Sequence, residues 1–185
     1  MQILALDCET TGLVNNHTIR IDKQPHIIEF YGCKVDLETG EVLDELALLI
    51  KPPQSLSDTP LFGDKKTITQ ITGITNEMLS NAPAFKDIST RLITFIQSAP
   101  LLAAHNLSYD KEMIDLEAER INTRIFWPHG ICTVEQTVHL KGQRLTLSAL
   151  HEHLFNEKFN DAHRAKTDTQ ALVRCLIELH KRDII

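Results

Sequence analysis

The chain opens on a short alternating apolar stretch, residues 2–7, that predicts a β-strand. Residues 26–35 predict a second strand and 41–50 a third. The turn residues 36–40 (DLETG) between them make the pair a hairpin. Pro52-Pro53 closes the third strand, and the Pro-, Ser- and Asp-rich stretch 52–66 predicts a surface loop. Short helical turns are expected over 67–80, around Thr72-Gly73. In 84–98 the apolar positions Phe85, Ile88, Leu92, Phe95 and Ile96 recur at helical spacing. After Pro100, residues 101–104 read as a short buried strand, 108–120 as a helix and 130–133 as a fifth strand. Helices over 145–154 and 162–182 complete the chain. The order β-β-β-α-β-α-β-α-α predicts an α/β fold: a mixed five-stranded sheet, an antiparallel hairpin plus parallel strands, flanked by helices. No repeat, low-complexity tract or linker divides it, so residues 1–185 read as a single domain.

Charge and cysteine usage narrow the function classes. The formal net charge of −6 argues against a protein that wraps duplex DNA with a broad basic face. It does not argue against a nuclease, because clustered acids that bind divalent cations contribute to the same sum. Cys8, Cys33, Cys132 and Cys175 are far apart and form no CxxC pair, so neither a zinc site nor a redox motif is indicated. They read as small buried residues in a reducing compartment. No apolar run approaches the roughly 18 residues of a membrane span, and Met1 enters the first strand with no basic leader. A cytoplasmic location with no membrane partner is the expectation.

Three segments carry carboxylates where chemistry could use them. Asp7-Cys8-Glu9 lies where the first strand ends, and a side-chain period of two puts Asp7 and Glu9 on one face with Cys8 on the other. Two acids so close repel unless a cation intervenes, and oxygen ligands suit Mg²⁺ and Mn²⁺. Taken alone, a D-x-E is better explained by strand-end acids facing solvent. In His105-Asn106-Leu107-Ser108-Tyr109-Asp110, Asn106 is a plausible N-cap and Asp110 lies four residues on; alone, that is a cap and a first-turn acid. In Asp161-Ala162-His163-Arg164-Ala165-Lys166-Thr167-Asp168, the histidine belongs to the lead-in and Asp168 to the last helix. The other histidines, His17, His26, His129, His139, His151, His153 and His180, lack comparable carboxylate company in the sequence.

The order D-x-E, N-x-x-x-D, H-x-x-x-x-D resembles the DEDD superfamily of 3′→5′ exonucleases, in the branch whose third motif carries His (DEDDh). Ile71-Thr72-Gly73-Ile74-Thr75 matches a further segment of that family, between its first two motifs. The resemblance spans nearly the whole chain and implies a ribonuclease H-like fold. It also implies hydrolysis that releases nucleoside monophosphates from a nucleic-acid 3′ end. By position, Asp7, Glu9 and Asp168 resemble direct ligands of two divalent cations, Mg²⁺ or Mn²⁺. Asp110 resembles the acid that supports the second cation, and His163 resembles the general base. A free imidazole titrates near ~6.5, so it can accept water's proton around neutral pH. Thr11, Leu13, Ile74, Asn106 and Tyr109 fall where the family contacts the terminal nucleotide. Tyr109 stands where Phe is commoner, which leaves its hydroxyl without a role.

The resemblance leaves the substrate open. Single-stranded DNA ends are the expectation, since the chain ends at Ile185, just after the last helix, with no tail for tethering to a polymerase. Trimming of RNA 3′ ends is an alternative, and so is a catalytically silent adaptor of the same fold that binds nucleic-acid ends or a polymerase. A phosphohydrolase using only Asp7 and Glu9 would leave Asn106, Asp110 and His163 unexplained. Lys141, Arg144, Arg164 and Lys166 are either contacts to the nucleic-acid backbone or solvated charges. Oligomeric state is not legible.

Overall fold

The computed structural model describes residues 1–61, 65–157 and 163–185. Strand β1 (Gln2–Thr10) is central, pairing antiparallel with β2 (Ile27–Asp36) and parallel with β4 (Leu102–Ala104). Beyond β2 lies antiparallel β3 (Val42–Leu49), and beyond β4 lies parallel β5 (Gly130–Cys132), giving the order β3-β2-β1-β4-β5. The helices are α1 (Ile68–Thr72), α2 (Asn76–Ser80), α3 (Phe85–Gln97), α4 (Leu107–Arg120), α5 (Thr133–Gln136), α6 (Val138–Lys141), α7 (Leu147–Phe155) and α8 (Ala165–Lys181). The expected mixed five-stranded sheet with flanking helices is what forms.

The period of two along β1 sorts its side chains between two cores. Leu4, Leu6 and Cys8 face α3 and α4, packing with Leu92, Phe95, Ile96, Met113 and Ile114. Ile3 and Ala5 face the other way, onto Leu172 and Leu176 of α8. Continuing that alternation puts Asp7 and Glu9 on the α8 side, at the end of the strand where the apolar run stops. The sheet is therefore covered on both faces, and its polar rim lies where β1, β4 and β5 end.

Several boundaries differ from the sequence reading. Strand β1 runs on to Thr10, because β2 continues opposite it as far as the pair Thr10↔Ile27. Thr133 opens helix α5 and does not close β5; its hydroxyl meets the His105 ring at 2.9 Å. The short helices α5 and α6 are four residues each, too brief to show a helical period. Helix α8 begins at Ala165, and Asp161 and Ala162 lie outside the described residues. All four cysteines are free, but Cys132 is half-buried where burial was expected. Among the described residues, no helix is long and apolar enough to cross a membrane.

Gly32 in β2 tests how tightly α3 sits on the sheet. A Cβ there would fall 2.8 Å from Phe95 Cε1, 3.1 Å from Leu4 Cδ1 and 3.2 Å from Phe30 Cζ. Gly32→Ala should therefore destabilise the fold by about 1–3 kcal/mol, the usual cost of overpacking. Denaturant unfolding is the check; a wild-type midpoint would mean that α3 packs more loosely than described.

Candidate active site

Each acid reaches the rim from a different element. Asp7 and Glu9 project from the end of β1, and Asp168 comes down from the first turn of α8. Helix α8 is fixed there by its apolar stripe Ala171, Leu172, Cys175, Leu176 and Leu179. One carboxylate oxygen from each of Asp7, Glu9 and Asp168 lies within 4.8 Å of the other two. Asp110, buried in the first turn of α4, sits beside them, and its Oδ1 accepts a hydrogen bond from the Cys8 backbone N–H at 3.0 Å. That bond ties α4 to β1 between the two β1 acids.

Burial raises the pKa of all four carboxyls, and the charges of neighbouring acids add to it. Burial is the largest cause for Asp7, followed by the charges of Asp110, Glu9, Asp168 and Glu29, and its pKa lies well above the usual range. Glu9 is pushed up to about 7 by burial, then by Asp168 and Glu29, with Arg164 acting in the opposite direction. Asp110 is pushed up to about 8 by burial, against the opposing Cys8 hydrogen bond. Asp168 is raised, again chiefly by burial. A set of hard oxygen donors that cannot all ionise alone fits a divalent cation, whose charge would reverse each of these shifts.

His163 stands exposed on the lead-in to α8, with φ 78°. Its backbone N–H donates to Asp168 Oδ2 at 2.7 Å, so the spacing of five positions is closed by a hydrogen bond. Asn106 takes the N-cap position of α4 in a left-handed conformation (φ 79°, ψ 51°) that asparagine tolerates. It does not cap with its side chain, as had been expected; its side-chain carbonyl accepts from the Ser108 hydroxyl at 3.3 Å. Tyr109 is half-buried, and its hydroxyl donates to the Gly12 carbonyl at 2.9 Å and lies 2.8 Å from Thr10 Oγ1. The hydroxyl that the sequence left without a role thus braces the turn after β1. Thr11 is joined to His26 by two bonds, from its N–H to the His26 carbonyl (2.8 Å) and to its Oγ1 from the His26 N–H (2.9 Å).

Leu13 is 79% exposed beside this turn, free to meet a ligand. Ile74, also expected to meet the terminal nucleotide, is placed differently. It is fully buried with Ile28, Leu56, Ile68 and Leu79, so its side chain offers a ligand no surface.

Other residues are placed differently from the sequence reading. His26 does have a carboxylate partner: its Nδ1 is 3.0 Å from Glu117 Oε1, and Glu117 also accepts from the Ile27 N–H. Arg120 pairs with Glu117 at 3.2 Å and donates to the carbonyls of Ile21, Gln24 and Pro25. Arg164 is bound in a fork to Glu29, and the Lys166 ammonium lies 5.5 Å from the centroid of the Tyr31 ring. Arg144 lies at the surface, 3.7 Å from Glu135. Glu29 was not singled out from the sequence; the available signal was a lone acid inside the apolar run of β2.

The family model described as exonuclease (RNase T) matches residues 4–176. The PolC-type DNA polymerase III of Staphylococcus epidermidis is 30% identical over 178 residues, covering 95% of this chain and 11% of that protein; the Staphylococcus aureus protein matches to the same extent. The chain therefore spans only about a tenth of the length of these curated relatives. Among solved structures, the nuclease domain of 3′hExo, a DEDDh family member bound to rAMP, superposes with a TM-score of 0.77 at 16% identity, covering 98% of this chain and 92% of that one. Exonuclease X in complex with 5′ overhanging duplex DNA gives 0.67 at 19% identity, covering 98% and 93%. At these identities the superpositions speak for the ribonuclease H-like fold, and the family match speaks for the chemistry. This chain belongs to the RNase T family of exonucleases.

Proposed function

We propose that the protein removes nucleoside monophosphates one at a time from nucleic-acid 3′ ends, with single-stranded DNA as its preferred substrate. The observation that carries this reading is the convergence of Asp7, Glu9 and Asp168 oxygens within 4.8 Å of one another, beside an exposed His163. The preference for DNA is supported by the DNA polymerases among the relatives. Trimming of RNA ends is the second reading, because one solved neighbour is a 3′-exonuclease that recognises the 3′ end of a histone mRNA stem-loop.

Asp7, Glu9 and Asp168 would hold two divalent cations, Mg²⁺ or Mn²⁺, with Asp110 supporting one of them from behind Cys8. Bound there, such cations would neutralise phosphoryl charge, activate the attacking water and stabilise the leaving oxygen. The chain's own residues do the rest. The His163 imidazole, exposed at the rim, takes the proton from water. The turn Thr11–Leu13 and the Tyr109 ring frame the terminal nucleotide, with Asn106 at the mouth. Base–aromatic stacking, worth about 1–3 kcal/mol, accepts any base, so such a pocket reads an end and not a sequence.

Equal-sequence DNA and RNA oligonucleotides, labelled at the 5′ or the 3′ terminus, test the reaction. With Mg²⁺, 3′-labelled DNA should release its label as a mononucleotide at once, while 5′-labelled DNA shortens as a ladder. Excess chelator should abolish both. Internal cleavage, or full activity in chelator, would overturn the proposal; faster hydrolysis of RNA would transfer it to the second reading.

The roles of ligand and base separate by substitution. His163→Ala leaves every carboxylate in place, so kcat should fall by roughly 10²–10⁴-fold with Mg²⁺ affinity nearly unchanged. Asp168→Ala removes a donor and should weaken Mg²⁺ binding as well. If His163→Ala weakened Mg²⁺ as severely as Asp168→Ala, His163 would be a ligand and the base would lie elsewhere.

A further inference from the structure

Glu29 has no part in the site as assigned above, yet it is the acid most completely engaged there. It lies in β2 directly opposite Glu9 in the antiparallel register, and is 7% exposed. Its Oε1 accepts from Arg164 Nη2 at 2.7 Å, and its Oε2 accepts from Arg164 Nε at 3.1 Å. Oε2 also accepts from the backbone N–H of Ala165, the first residue of α8, at 3.0 Å. Both oxygens are therefore occupied by donors, which leaves Glu29 poorly suited to hold a cation. The fork geometry fixes the orientation of the guanidinium as well as its distance.

These bonds converge on one short segment, through the Arg164 side chain and the Ala165 backbone. His163, next to Arg164, sits at φ 78°, a region that residues with a side chain rarely adopt and that persists only when the surroundings enforce it. From the helix side, Asp168 holds the His163 N–H at 2.7 Å. From the sheet side, Glu29 holds Arg164 and Ala165. The segment 163–165 is thus pinned at both ends, between a strand and the helix it leads into.

We propose that Glu29 and Arg164 form a positioning clamp that sets the backbone turn presenting the His163 imidazole to the site, and that Arg164 serves this clamp and not a substrate phosphate. The inference rests on the exonuclease reading with His163 as base. It explains why an arginine beside the catalytic rim, which looks suited to nucleic-acid backbone, is turned onto a buried acid of β2.

The test uses the full chain, a labelled oligonucleotide and saturating Mg²⁺, with Glu29→Gln, Arg164→Lys, both together, and each combined with His163→Ala. Melting midpoints identify the folded variants; should Glu29→Gln fail to fold, Arg164→Lys, which keeps the charge and loses the fork, carries the test. Each single variant should lose roughly 10–100-fold in kcat, the usual effect of misplacing a reacting group, while KM and its salt dependence stay at wild type. The double variant should lose no more than the worse single one, since both act through one contact. In the His163→Ala background neither change should cost anything further, a result that a merely structural role would not give. Wild-type kcat in Glu29→Gln, or losses that multiply with that of His163→Ala, would overturn the clamp. So would a raised KM with altered salt dependence in Arg164→Lys alone, which would make Arg164 a phosphate contact. Failure of the underlying reading is distinguishable, because His163→Ala by itself would then keep wild-type kcat.

Discussion

Asp7, Glu9, Asp110 and Asp168 are held together at one rim of the sheet by a fold that gives them little room to move apart. Like charges at such spacing, largely withdrawn from water, oppose folding unless protons or cations intervene. The raised carboxyl pKa values are the direct expression of that conflict. Much of the surrounding architecture reads as the means of sustaining it. The two faces of β1 are anchored in separate apolar cores, so the strand end cannot twist Asp7 and Glu9 apart. The stripe along α8 fixes the axis on which Asp168 rides.

A second set of contacts converts this rigid acid cluster into a shaped site. Hydrogen bonds from the Cys8 N–H to Asp110 and from the Tyr109 hydroxyl to the Gly12 carbonyl lock α4 to the end of β1 from both sides of the strand end. Glu117, with His26 and Arg120, fastens the segment leading into β2 onto the same helix. Against these fixed walls, Leu13 and His163 are exposed. Rigid support with a few exposed polar and apolar tips is the arrangement that lets a site pre-position groups without reorganising when substrate arrives.

The acids and His163 could be picked out in the sequence because three motifs stand in the family's order, each at a boundary that local pattern reveals: the end of an alternating strand, the start of a helix after a short strand, the lead-in to a long amphipathic helix. What was not legible depends on register and partner. Glu29 becomes part of the site only because β2 pairs so that it falls opposite Glu9, and no window of sequence around it contains that fact. The same pairing carries β1 on to Thr10. Ile74 lies in a segment that matches the family, yet whether its side chain faces a ligand or the core depends on how α1 and α2 close over β2. Arg164 and His26 looked free because their partners, Glu29 and Glu117, are more than 90 positions away in one direction or the other; the separations are 135 and 91. The braced Tyr109 hydroxyl is a further case, since its acceptor at Gly12 is 97 positions distant.

If the acid cluster is stable as a charged set only with cations, the melting midpoint must depend on both pH and Mg²⁺. Because the folded-state pKa values lie above those of the unfolded chain, the metal-free protein binds more protons folded than unfolded across the interval from about 4 to 8. Its stability should therefore fall as pH rises through that interval. Mg²⁺ at about 100 times its Kd should add ~2.7 kcal/mol per independent site, and the gain should be larger near pH 8 than near pH 5, where protons already neutralise the carboxyls. A midpoint in chelator that falls with rising pH, and that Mg²⁺ restores, is the predicted result. A midpoint indifferent to Mg²⁺ at pH 8, with no decline in chelator, would mean that the four carboxyls neither repel one another nor share a cation.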